Sequence, residues 1–158
     1  MTDRYDLIVI GAGSGGITAA EFGAKLGISV ALIEREKIGG DCTWTGCVPS
    51  KALLKVANVA HQVRTAEHYG IENGAPQTIM HKVKAYLEQV IEQVYQHETP
   101  ETFQAQGIDV LIGTATFLDS RTIQVGERRL SGKRFVIATG ASPFIPAIPD
   151  LDKVPYQT

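Results

Sequence analysis

The sequence predicts an α/β fold with a central parallel sheet, flanking helices and a small antiparallel β-meander. Three features predict it. Residues 6–34 run apolar segment, glycine cluster, amphipathic segment, apolar segment, in strand–helix–strand order. Short segments divided by turn residues follow between 109 and 130. A last apolar run, Lys133–Thr139, closes on Gly140.

The elements follow in order. Asp6–Ile10 (DLIVI) is apolar throughout and meets glycine at once, the pattern of a strand buried on both faces. Ser14–Leu26 carries small and apolar residues on one face and ends at Gly27, a suitable helix C-cap. Ser29–Glu34 is a second buried strand ending on an acid. A strand, a helix and a further strand imply a right-handed crossover and a parallel pair. Lys37–Ser50 is turn-rich, and Lys51 to about Glu67 reads as a helix. Tyr69–Thr78, with Asn73-Gly74 and Pro76, reads as a loop. Val83, Leu87, Val90 and Val94 form an apolar stripe on a helix running from about Met80 to Gln96. Asp109–Ile112 is a strand, and Ala115–Leu118, Thr122–Val125 and Arg128–Leu130 are short antiparallel strands turning at Asp119-Ser120 and Gly126-Glu127. The tail Ala141–Pro155 holds four of the seven prolines, as a connection leaving a domain does.

A chain of 158 residues suffices for one domain with its own core. Fifteen basic and 17 acidic residues leave a net charge of -2, which gives no electrostatic basis for binding nucleic acid or an anionic membrane. The longest apolar run, Leu7–Ala12, is far too short to span a bilayer. Asp3 and Asp6 precede it where a secretory signal would be basic and then apolar, so a cytoplasmic location is expected. Two cysteines, Cys42 and Cys47, cannot build the disulfide framework of a small secreted fold.

Gly11, Gly13 and Gly16 make the pattern G-x-G-x-x-G. A pyrophosphate needs free backbone N–H groups at a helix N-terminus, where the helix dipole also favours an anion. The pattern alone is weak, because ordinary turns contain glycines. Here it follows a strand, opens a helix at Ser14 and lies upstream of Glu34, placed to accept bonds from ribose hydroxyls. The unit therefore predicts a Rossmann-like FAD/NAD(P)-binding fold. The acid at position 34 argues against a 2′-phosphate, favouring FAD or NAD over NADP in this unit.

Cys42 and Cys47 are separated by four residues, which is not the spacing of a zinc knuckle, and the sequence has no second pair. In a regular helix, residues five apart have Cα atoms roughly 8–9 Å apart. A disulfide needs about 4.4–6.8 Å. If the pair bonds, the backbone between must be a turn or a distorted helical turn, for which Gly46 and Pro49 are suited. When reduced, a thiolate near the N-terminus of the following helix would be stabilised, with help from Lys51. A pair of buried free thiols is the alternative reading.

Together these segments are recognisable. GAGSGG (Gly11–Gly16), GGDCTWTGCVPSKAL (Gly39–Leu53), GTATF (Gly113–Phe117) and FVIATGASP (Phe135–Pro143) resemble the class I pyridine nucleotide-disulfide oxidoreductases, which include lipoamide dehydrogenase, glutathione reductase and mercuric reductase. The resemblance covers essentially the whole chain, and the cysteine motif is its most specific part. It implies that Cys47 lies next to the flavin as the charge-transfer thiolate, that Cys42 is the interchange thiol, and that Lys51 tunes the flavin ring. It implies that Gly11, Gly13, Ser14, Gly16 and Glu34 hold the pyrophosphate and ribose, with Gly40 and Asp41 on the phosphate path. Ala115 would touch the adenine, and Ala138, Thr139 and Gly140 would form a second FAD contact. Electrons would pass from NAD(P)H to FAD, to the Cys42–Cys47 disulfide and on to substrate.

Many members have threonine where this chain has Asp41, and asparagine where it has Trp44. The Asp-Cys-x-Trp-Thr-Gly-Cys variant is similar to the mercuric-reductase-like branch, so the implied substrate is a small disulfide or Hg(II). The resemblance further implies an FAD domain at 1–145, incomplete without a later returning segment, and a linker at 146–158 towards an NAD(P)H domain. The complete enzyme would be a homodimer. An incomplete domain should leave apolar surface exposed. His61, His68, His81 and His97 match no catalytic motif and read as surface or packing residues. A stand-alone dinucleotide-binding or redox-sensing module is the alternative function.

Overall fold

The computed structural model describes residues 2–72 and 77–156. The turn expected at Asn73-Gly74 and Pro76 lies outside the described residues. Strand β1 spans Thr2–Ile10, helix α1 Ser14–Lys25 and strand β2 Val30–Glu34. Helices α2 (Gly40–Trp44), α3 (Cys47–Thr65), α4 (Met80–Tyr95) and α5 (Pro100–Ala105) follow, with a 3-10 turn at Ala66–Tyr69. Strands β3 (Ile108–Ile112), β4 (Ala115–Phe117), β5 (Thr122–Val125) and β6 (Arg128–Ile137) complete the sheet.

The six strands lie in the order β3-β2-β1-β6-β5-β4. The first four run parallel, while β5 and β4 run antiparallel to their neighbours. The chain winds outward from β1 to β2 and β3, then returns to place β6 on the other side of β1. Ile10, Glu34, Ile112 and Ile137 therefore end together at one edge of the sheet, and the winding reverses between β1 and β6, where α/β sheets bind ligands.

Because β1 is central, its apolar run serves both faces. Val9 joins Val30, Leu32, Ala20, Ile38, Phe103 and Ile108 in one core beneath α1 and α5. Ile8 joins Ala31, Ile33, Leu111, Ile123, Val125 and Leu130 in the other. Burying one such side chain is worth roughly 1.5–3 kcal/mol, so each face contributes to stability.

Two expectations need correction, and α5 adds an element that the sequence did not announce. The turn-rich stretch 37–50 contains α2, and the helix expected from Lys51 begins four residues earlier, at Cys47. Pro49 is tolerated there because the first-turn N–H groups have no intrahelical partner. The stretch after Pro100 holds α5, capped by Thr99, whose hydroxyl accepts from Thr102 N, with proline at the first helical position. Arg128–Leu130 and Lys133–Thr139 are one strand, β6, whose first half pairs with β5 and whose whole length runs beside β1.

Candidate dinucleotide cleft and dithiol

The turn from β1 into α1 is possible only with glycine at its critical points. Gly11 has φ +99, and a Cβ there would lie 2.3 Å from the Ala138 carbonyl oxygen of the neighbouring connection. A Cβ on Gly16 would lie 1.8 Å from the carbonyl oxygen of Gly11. Gly16 thus presses the buried side of α1 against the turn, and Gly11 fits between β2 and β6, its N–H donating to Ile33 O. The Cα of Gly13 faces that of Gly40, where a Cβ on Gly40 would come within 2.9 Å of it. Gly13 offers no side-chain cap to α1, and the first turn contains no acid, so its N–H groups and positive dipole end remain available to an anion.

Glu34 sits where β2 ends. One carboxylate oxygen accepts from Ala12 N and the other from Glu36 N, both at 2.8 Å. Two backbone donors fix the carboxylate between the glycine turn and the start of the next connection. Beyond it opens a cleft of about 470 Å³ lined by Gly11, Gly13, Glu34, Gly40, Asp41, Ala138, Thr139 and Gly140, together with Arg35, Glu36, Lys37, Trp44, Thr45, Ala141 and Ser142. A second hollow of about 170 Å³ shares Gly11, Glu34 and Thr139 and adds Ala115. A narrow glycine floor with a helix N-terminus and a strand-end carboxylate suits the pyrophosphate and ribose of a dinucleotide. The residues present therefore fit FAD.

Of the expected cofactor residues, Ser14 is exposed at the first position of α1 and Gly16 is buried behind the turn. Neither lines the cleft. Cys42, Cys47 and Lys51 continue from the wall formed by Asp41, Trp44 and Thr45. Cys42 is half-buried in α2, while Cys47 is exposed at the first position of α3. Both are free thiols, five positions apart across the junction of α2 and α3. The expected break in the helix is present: Thr45 (φ -131) and Gly46 (φ -109, ψ -102) separate α2 from α3, and Gly46 N donates back to Asp41 O at 2.5 Å.

At Cys47 the charge of Lys51 pulls towards the thiolate, as expected, but a neighbour outweighs it. The Cys47 pKa is raised, first by the hydrogen bond to Cys42 and then by that sulfur's charge, which together outweigh the opposing pull of Lys51. His61, His68, His81 and His97 are all exposed.

Sequence reasoning missed Arg35, Lys37 and Trp44 as cleft residues, although Trp44 lies inside the cysteine motif and is the only tryptophan. Its indole donates to Ile38 O at 2.8 Å, packs 5.0 Å from the Tyr95 ring and carries Lys37 Nζ 4.4 Å above it. Thr43, one of the most buried side chains, donates to Glu98 Oε2 at 2.7 Å. Fifty-five residues separate that pair, and no local pattern marks it.

Among the described residues, no helix is long and apolar enough to cross a membrane. The family model for pyridine nucleotide-disulphide oxidoreductases matches residues 5–157. A mercuric reductase of Lysinibacillus sphaericus is 36% identical over 99% of this chain and 29% of its own length. A glutathione reductase of Nostoc sp. is 32% identical over 96% of this chain and 33% of its own. A dihydrolipoyl dehydrogenase of Thermus scotoductus is 36% identical over 88% of this chain and 30% of its own. The chain thus spans about a third or less of each of these relatives. FAD is the family's cofactor, and NAD(P)H its electron-carrying co-substrate. By the family match along nearly its whole length, the chain belongs to the pyridine nucleotide-disulphide oxidoreductases.

Proposed function

We propose that the chain is the FAD-binding and dithiol-bearing part of an oxidoreductase that passes electrons from NAD(P)H to a small disulfide or to Hg(II). The observation that carries this reading is adjacency: the glycine-floored cleft is walled by Asp41, Trp44 and Thr45, and the same short segment bears Cys42 and leads into Cys47. Gly11, Gly13, Ser14 and Gly16 would hold the pyrophosphate, Glu34 the ribose, and Ala115 the adenine. Gly40, Asp41 and residues 138–140 would hold the remainder, with Lys51 beside the ring. Bound FAD supplies two-electron transfer between NAD(P)H and sulfur.

The protein's own chemistry is thiol–disulfide exchange. Cys42 attacks one sulfur of a substrate disulfide as a thiolate, so that bond breaks and one product thiolate leaves and takes a proton. Cys47, losing its proton, then attacks Cys42 and releases the second product thiol. The dithiol has given two electrons and two protons and is left as the Cys42–Cys47 disulfide. Similarity to a protein named mercuric reductase supports Hg(II) as an alternative acceptor, bound by the same sulfurs. A cytoplasmic homodimer is part of the same proposal, supported by the family and by a pair of cysteines suited to redox cycling.

The test is titration of FAD with the chain, followed by flavin fluorescence. Saturable quenching is expected. It should be lost in Gly11→Ala, where the added Cβ meets the Ala138 carbonyl, and kept in Cys47→Ser. Unquenched flavin with the folded wild-type chain would overturn the reading.

A further inference from the structure

We propose that Glu98 is a positioning residue for the dithiol, holding Cys42 against Cys47 through the Thr43 hydroxyl. The proposal rests on the reading of these cysteines as an exchanging pair. It begins from the shortness of α2. Five residues form too little helix to fix their own place, so tertiary anchors must do so. Cys47 belongs to the long helix α3, and the break at Thr45–Gly46 leaves α2 joined to it by a non-helical junction rather than as one continuous helix. The position of one sulfur relative to the other therefore depends on whatever grips α2.

Two contacts grip it, and both lead to the end of α4. Thr43, next to Cys42, is 2% exposed and donates to Glu98 Oε2 at 2.7 Å. Trp44, the following residue, packs on Tyr95 and bonds to Ile38 O. Glu98 is itself held by its own N–H, which donates to Tyr95 O at 2.8 Å. Space for the carboxylate comes from Gly39, where a Cβ would lie 2.6 Å from Glu98 Oε2. Gly39 in turn donates to Ala12 O in the glycine turn. The clamp thus joins the cysteine helix to the cofactor turn on one side and to the α4–α5 junction on the other. A buried hydroxyl bonded to a carboxylate is a stronger tether than a neutral pair, and losing either partner strands the other.

A tether that keeps two thiols adjacent raises their effective concentration for each other and so favours the disulfide over the dithiol. The measurement is the equilibrium between the two forms in buffers of reduced and oxidised glutathione. In that exchange the Cys42–Cys47 dithiol is oxidised as glutathione disulfide is reduced to two thiols. Trapping by alkylation and weighing the intact chain reads the populations. Thr43→Val and Glu98→Ala are each expected to shift the equilibrium towards the dithiol by about tenfold, the equivalent of one side-chain hydrogen bond. Glu98→Gln, which keeps an acceptor oxygen for Thr43, should stay within about threefold of wild type. The double variant should shift no further than either single one.

A lower melting temperature with an unmoved glutathione equilibrium in Thr43→Val and Glu98→Ala would make the pair merely structural and overturn the proposal. A wild-type chain that never closes a Cys42–Cys47 disulfide would overturn the exchange reading itself, and the clamp with it. Closure in wild type with unmoved variants would overturn the clamp alone.

Discussion

Cys42 is the neighbour that most affects the Cys47 thiol. Cys47 stands at a helix N-terminus, exposed and one turn from Lys51, which by themselves would promote ionisation. The neighbouring sulfur outweighs them, its hydrogen bond and then its charge raising the Cys47 pKa. In Cys42→Ala both effects vanish while Lys51 remains. The pKa of Cys47 should fall, and the pH profile of its alkylation by iodoacetamide should move to lower pH than for Cys47 in wild type. A profile that stayed in place or moved upward would refute that ranking. The same scale shows what residues alone disclose. Gly11, Gly16 and Glu34 were legible because backbone sterics and strand ends leave fixed spacings. Thr43 and Glu98 were not, since a hydrogen bond across 55 positions leaves no local trace.

Among the elements, the βαβ start was legible because a doubly buried strand must be apolar throughout, and β1 and β2 are. Strand β6 reads in the sequence as two segments, Arg128–Leu130 and Lys133–Thr139, with Gly132 in the gap between them. Gly132 makes room for a neighbour: a Cβ there would meet Ile8 Cδ1 at 2.9 Å and the Phe135 ring at 3.0 Å. Helix α2 was hidden by its flanking glycines, and α5 by its brevity, although Thr99-Pro100 is a helix-start signal. At the far end of the sheet from the cleft, Tyr5 of β1 donates to Asp109 of β3. Arg128 of β6 reaches Asp109 at 3.0 Å and Asp3 at 2.9 Å. This cluster ties three strands together. Burial, then the bond to Asp109, pushes the Tyr5 hydroxyl up to about 12. An unfolded tyrosine titrates near about 10, so the protonated form is favoured in the fold. Its contribution is full below about pH 10 and is lost as pH rises through about 12. Tyr5→Phe should lower stability in urea by about 1 kcal/mol at neutral pH and remove part of the alkaline decline between those values. Equal alkaline slopes in both proteins would contradict the assignment.

Across the whole molecule, several large apolar side chains stand on the surface. Phe144 is 87% exposed, Ile137 67% and Leu54 68%, the first two close to the cleft wall at residues 138–142. The chain spans a third or less of its relatives, and we propose that these side chains pack against the remainder. The parallel sheet brings the glycine turn, the Glu34 carboxylate and the cysteine helices to one edge, and their common position is what makes a relay from nucleotide to sulfur conceivable. The most direct test is an anaerobic reductive titration of the FAD-loaded chain after oxidation of its cysteines. The account predicts uptake of two electron pairs per chain in wild type, one for the flavin and one for the Cys42–Cys47 disulfide, and of one pair in Cys47→Ser. A single pair in both proteins would contradict it.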